Sequence, residues 1–190
     1  PEATTLSYGD AYDDQLLAVE KIDKIIPENW KILVKEHPYQ NDPFYRGSLF
    51  YERIKLINSV IIIPSKKFEN EELINKSKFV STVSGNTGWE SIRQLKPVLL
   101  FGRPWYLTCP GVVNIDQFTN LDDLLELKWS LKDIKSTIED LSEKMGDGLI
   151  NLDYLNSKDI FNDYKVTTYD NEANVDKIIN SINKIILSIN

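Results

Sequence analysis

The sequence predicts an α/β protein built on a parallel sheet with helices on both faces, and three observations carry that prediction. Short runs such as Val60-Ile61-Ile62-Ile63 and Val98-Leu99-Leu100-Phe101 are apolar at every position rather than at alternate ones, as strands covered on both faces are. Stretches with helical spacing separate them, so strand and helix alternate along the chain. Residues 79–92 compress the pattern into one junction. Phe79-Val80-Ser81-Thr82-Val83 reads as a strand, Ser84-Gly85-Asn86-Thr87-Gly88 as a tight turn, and Thr87 onward as a helix.

In chain order, Asp13 and Asp14 precede a helix over 15–26, where Leu16, Val19, Ile22 and Ile26 recur at helical spacing and Pro27 closes the element. Two carboxylates in a first turn match the helix dipole, a simpler reading than metal ligation. Residues 31–35 form a short buried strand, followed directly by Glu36-His37-Pro38-Tyr39. The polar loop over 40–47, with Pro43 and Arg46, is long enough to move or to cover a ligand. A helix is expected over 49–57, a strand over 60–63 ended by Pro64, and a short helix over 71–77 with Leu73 and Ile74 turned inward. The helix after the central turn runs to 95, with Trp89 and Ile92 expected against the sheet and Glu90 on another face near the loop.

Lys96-Pro97 breaks that helix, and the strand over 98–101 ends in Gly102-Arg103-Pro104-Trp105-Tyr106. Residues 112–115 read as an edge strand and 121–127 and 131–145 as helices, with Asp122-Asp123 again matching a dipole. Gly146-Asp147-Gly148 is a break, and 151–170 carry mixed signals around Tyr154, Phe161, Tyr164 and Tyr169. The closing helix over 172–189 lines up Val175, Ile178, Ile179, Ile182, Ile185 and Ile186 on one side. These elements divide the chain into a domain over 1–145 and a helical extension over 146–190 expected to pack on it.

Composition narrows the function classes. The chain of 190 residues is 42% hydrophobic and 11% aromatic, enough to bury a core. Its formal net charge of -7 leaves no basic stripe to displace counterions, which argues against general nucleic-acid binding. Cys109, alone, excludes an intramolecular disulfide framework and points to a reducing, cytoplasmic setting. No apolar run approaches the ~20 residues that a membrane span requires. No signal-peptide pattern precedes the first strand, and Pro1-Glu2-Ala3-Thr4-Thr5 reads as cut from something longer.

The strand-turn-helix junction turns free backbone N–H groups and the positive end of a helix dipole toward one space, which suits a phosphate or carboxylate. It matches neither the P-loop nor G-x-G-x-x-G, and every parallel βα unit needs a short turn, so an ordinary turn is the competing reading. His37, the only histidine, stands just past the carboxyl end of a predicted parallel strand, where ligands of open α/β sheets bind. Pro38 holds it extended. A histidine in an ordinary surface loop is the alternative. Gly102, Arg103, Trp105 and Tyr106 make a wall for a sugar or a base, or else Trp105 and Tyr106 cap the core. No clustered carboxylates suit a metal-bridged diphosphate and one histidine cannot make a zinc site, so no metal is expected.

Together, Pro1-Glu2-Ala3-Thr4-Thr5, Lys35-Glu36-His37-Pro38, Ser84-Gly85-Asn86-Thr87-Gly88-Trp89-Glu90, and Pro97-Val98-Leu99-Leu100-Phe101-Gly102 with Trp105-Tyr106 resemble the capsule polysaccharide biosynthesis family. That family is similar to the bacterial Kdo and sialic acid transferases of the GT-B class. The resemblance runs from Pro1 to about Gly111. It implies two Rossmann-like domains, with this chain the carboxyl-terminal, donor-binding half of a GT-B architecture. The implied activity is that of a bacterial capsule or surface-polysaccharide glycosyltransferase, moving a sugar from a nucleotide-activated donor, a CMP-sugar such as CMP-Kdo, to a growing glycan.

Carried onto this sequence, the resemblance implies that His37 contacts the donor phosphate and acts in catalysis, while Ser84, Gly85, Asn86, Thr87 and Gly88 form the nucleotide loop. Lys35 and Trp105 would line the same site, and Glu90 would accept hydrogen bonds from ribose or base hydroxyls. Asn86 stands where relatives are expected to carry a small residue or threonine. The base that activates the acceptor is expected on the missing amino-terminal domain, with Glu2 a local candidate. The implied partners are the nucleotide-sugar donor, a glycan or glycolipid acceptor and that amino-terminal domain, in the cytoplasm, with peripheral association at the inner face of the membrane. Other readings stay open: a CDP-alcohol phosphotransferase or nucleotide-sugar epimerase of similar fold, or a non-catalytic carbohydrate-binding domain.

Overall fold

A computed structural model of the chain describes residues 9–36, 47–64, 67–144 and 171–189. It divides into two compact units, Pro1–Thr137 and Ile138–Asn190. The first unit is a Rossmann-like α/β fold. Its strands are β1 (Ile32–Lys35), β2 (Val60–Ile63), β3 (Val80–Thr82), β4 (Val98–Leu100) and β5 (Val112–Asn114). Among them run α1 (Gln15–Ile25), α2 (Ser48–Ile54), α3 (Asn70–Lys76), α4 (Asn86–Arg93) and α5 (Leu121–Leu125). A long helix, α6 (Leu131–Lys144), straddles the division, and α7 (Asn171–Ile189) lies in the second unit.

All strand pairings among the described residues are parallel, as continuous apolar runs with intervening helices require. The ladders number two rather than the single sheet expected: β1 pairs with β2, and β3, β4 and β5 follow in that order, leaving β5 at an edge as its short run suggested. β4 is fully buried, whereas the registered neighbours Leu33 and Ile61 on β1 and β2 are 46% and 48% exposed. Covering is therefore complete at β4 and less complete at Leu33 and Ile61. Ile32 packs against the core cluster that includes Ala18 and Ile22 of α1; Leu33, one residue on, points to the other face and keeps nearly half of its surface exposed.

Helix ends follow local chemistry. The Asp14 side chain caps α1 by accepting from the Leu16 N–H and also meets Arg53 at 3.3 Å, so Asp14 serves both the helix and a surface ion pair. Asn120 caps α5 through the Asp123 N–H. The core joins Ala18, Ile22, Val83, Leu99, Phe101 and Leu124, with Tyr12 edge-on to Phe101 at 4.6 Å. Gly111, at φ +84°, allows Trp129 to lie where a Cβ would stand, and the Trp129 indole donates to the Ile92 carbonyl at 3.0 Å. In the second unit α7 leaves Val175, Ile179 and Ile182 half exposed.

Candidate functional site

The loop after β3 is built as the residue types dictate. Thr82, the last residue of β3, accepts the Gly85 N–H on its hydroxyl at 3.0 Å, and a Cβ at position 85 would come to 2.9 Å from that oxygen. Gly85, extended at φ -73° and ψ 153°, caps α4 without a side-chain hydrogen bond, so the helix begins at Asn86, one residue earlier than its sequence suggested. The N–H groups of Asn86 and Thr87 and the side chains of Ser84, Asn86 and Thr87 have no hydrogen-bond partner among the described residues. Exposed donors at the positive end of an eight-residue helix are suited to an anion.

Gly88 answers to a packing demand. Tyr106, fully buried after β4, passes so close to it that a Cβ there would meet the phenol oxygen at 2.4 Å. The same hydroxyl donates to the Gly85 carbonyl at 2.5 Å and so holds the start of α4 from beneath. Burial pushes the Tyr106 phenol well above its ordinary range, with the neighbouring Cys109 and Glu90 adding to the shift. Burial likewise raises the Cys109 thiol. Tyr106 is thus a neutral hydrogen-bond donor in the floor of the loop, a role its sequence position did not disclose.

A polar chain joins the end of β1 to α4, the helix after β3. The Lys35 ammonium, at the last position of β1, donates to the Phe68 carbonyl and to Asn70 Oδ1, both at 2.7 Å. Asn70, the first residue of α3, passes its amide to Glu90 Oε2 at 3.1 Å. An amide with its oxygen toward a cation and its nitrogen toward an anion has its dipole aligned with both. Lys35 and Glu90 therefore meet through Asn70, a residue the sequence reading passed over. The available signal was topological: Asn70 opens the helix after β2 as Asn86 opens the helix after β3.

Trp89 departs from expectation. Gly88, Ser91 and Ile92 occupy the inward side of α4, and Trp89 lies half-buried against Trp105, ring centroids 4.8 Å apart. Trp105, 52% exposed, forms a wall beside the loop, edge-on to Tyr106 at 5.5 Å. Arg103 reaches Asp10 at 3.7 Å on the surface. Glu36 is held through both carboxylate oxygens by the Tyr51 hydroxyl of α2, at 3.1 and 3.0 Å, which anchors the chain one residue before His37. His37 and Glu2 themselves lie outside the described residues.

The structure thus brings Lys35, Ser84, Gly85, Asn86, Thr87, Gly88, Glu90 and Trp105 to the carboxyl ends of the parallel strands. Among the described residues no group of three or more histidine, cysteine or acidic side chains is arranged to hold a metal ion, and no helix is long and apolar enough to cross a membrane.

Residues 7–120, more than half of the chain, match the family described as capsule polysaccharide biosynthesis protein. No curated protein and no solved structure matches the chain. The match takes in all five strands, the loop after β3 and the aromatic wall after β4. The chain belongs to the capsule polysaccharide biosynthesis protein family.

Proposed function

We propose that this chain is the donor-binding domain of a capsule glycosyltransferase, the carboxyl-terminal half of a GT-B architecture, and that it takes a CMP-sugar such as CMP-Kdo. One observation carries the reading: donors without partners at the start of α4 stand beside a carboxylate, Glu90, that Asn70 holds in place. A ligand matching both must present an anion and, close by, hydroxyl or N–H donors. A nucleoside phosphate does so. Ser84, Asn86 and Thr87 receive the phosphate, Glu90 accepts from ribose or base, and Trp105 walls the sugar. Lys35 has two of its three N–H donors taken up by Phe68 and Asn70, so its part is to fix Glu90 through Asn70 and to lend positive charge.

When the sugar departs, negative charge gathers on the nucleotide phosphate. Fixed donors at the helix start stabilise that charge without reorganising, and His37 adds a hydrogen bond or a proton. This chemistry needs no metal. The base that activates the acceptor, a glycan or glycolipid, belongs to an amino-terminal domain, with Glu2 as the local candidate. The setting is the cytoplasm, at the inner face of the membrane.

Calorimetric titration with CMP, CDP, UDP and GDP, with and without magnesium, tests the proposal. Metal-independent binding of CMP is expected, weakened by roughly 1–3 kcal/mol in His37→Ala, the range for losing a hydrogen bond to a charged group. Preference for CDP would favour a CDP-alcohol phosphotransferase. Failure to bind any of the four would contradict a nucleotide site here.

A further inference from the structure

The outer side of α4 carries Trp89 and Arg93, which the donor site does not use, and Trp89 meets the donor site's Trp105. Gly88, Ser91 and Ile92 fill the inward side of the helix, which leaves Asn86, Trp89 and Arg93 along the other at helical spacing. The Arg93 guanidinium lies over the Trp89 ring at 5.8 Å. Trp89 in turn meets Trp105 at 4.8 Å with the planes inclined at 55°, and Trp105 meets Tyr106 edge-on. Tyr106 is locked by burial and by its bond to Gly85, so the aromatic group is anchored at one end. Trp105 nonetheless exposes half its surface.

Charge pairing separates Arg93 from the other described arginines. Arg53 pairs with Asp14 and Glu20, and Arg103 with Asp10; Arg93 has no carboxylate partner among the described residues. Its position in the last turn of α4 complements the helix dipole, which accounts for a cation there but not for a half-buried Trp89 and an exposed Trp105 packed beside it. A rigid indole offers a flat apolar surface to the C–H face of a sugar ring while the ring's hydroxyls stay in water. A planar guanidinium next to it fits a carboxylate through two parallel hydrogen bonds.

We propose that Trp105, Trp89 and Arg93 form a shelf for an acidic sugar unit of the acceptor glycan, running from the nucleotide loop down the outer side of α4. The assignment rests on reading this domain as part of a glycosyltransferase. It adds an acceptor contact on the donor-binding half, with negative charge on the sugar as the selected feature.

The test is an NMR titration of the 190-residue chain with tetragalacturonate and, separately, cellotetraose, following the indole N–H resonances. Saturable shifts at Trp105 and Trp89 but not at Trp30 are expected. Tetragalacturonate should bind roughly tenfold more tightly than cellotetraose, as a charge-assisted bidentate contact would give, with the margin shrinking as salt is added. Arg93→Gln should erase that margin, and Trp105→Ala should remove binding of both sugars. Trp105→Phe, which keeps an aromatic ring in the wall, should retain weakened binding and guards against a folding defect. Absence of any shift at Trp105 overturns the proposal, as does a margin that survives Arg93→Gln. A CMP titration of the same sample reports the donor site separately, so the two readings fail independently.

Discussion

All three residues of β4 are buried, whereas Leu33 and Ile61, side by side on β1 and β2, are nearly half exposed. Both ladders are parallel, and β4 is written in the same apolar residue types as β1 and β2. They differ in how tightly the surrounding chain is fitted. Beneath the β3–β5 ladder, Tyr106 fills the space that Gly88 vacates and Trp129 the space at Gly111; at Gly47, ahead of α2, a Cβ would meet nothing within 4 Å. The closely packed half carries the loop after β3, proposed to receive the donor phosphate, and the looser half supplies Lys35 and the segment leading to His37. Preorganised donors require fixed surroundings, and the packing supplies them on the side of the proposed phosphate site.

The contrast can be broken most directly in the strands. Leu99→Ala on β4 should lower stability by about 2–5 kcal/mol, the range for emptying a fully buried leucine site, while Leu33→Ala should cost about 0.5 kcal/mol. Urea unfolding curves of the two variants measure this, and equal losses would erase the distinction. Glycines sharpen it. Gly88→Ala forces a methyl into the Tyr106 hydroxyl, an overpacking that costs about 1–3 kcal/mol and should displace the loop enough to weaken CMP binding; Gly47→Ala should leave both stability and binding unchanged.

The smallest effect is alkaline. Tyr106 and Cys109 are both raised from their ordinary values of 10.0 and 9.0 by burial. The folded protein keeps protons that the unfolded chain releases, so stability is fully present below pH 9.0 and declines as pH rises through 10.0 and beyond. Melting temperatures between neutral and strongly alkaline pH should trace that decline, more shallowly in Tyr106→Phe. A slope unaltered by that substitution would mean the phenol does not report the packing of the loop.

Much of this was legible because the residue types are local signals. A strand of β-branched residues followed by Ser84-Gly85-Asn86-Thr87-Gly88 admits few structures other than a strand, a turn and a helix start, and Gly85 shifted the boundary by a single residue. The partial exposure of Leu33 and Ile61 was not legible. An apolar run looks the same whether one face or both are covered, since coverage depends on remote elements. Trp89 illustrates a similar degeneracy: helical spacing allowed it to face the sheet, but the small residues Gly88 and Ser91 let the backbone sit close and left the indole to Trp105. Asn70 and Tyr106 act through partners 20 and 21 residues away, and nothing in their neighbours announces those pairings.

The most direct test of the donor site is a map of backbone amide shifts as CMP is added to the chain. If the donor site lies at the start of α4, saturable changes appear at Ser84, Gly85, Asn86, Thr87 and Gly88, with Asn70 and Glu90 following and Leu33 and Ile61 unmoved. Saturable CMP binding that left 84–88 unperturbed, or that moved Leu33 and Ile61 instead, would contradict that placement.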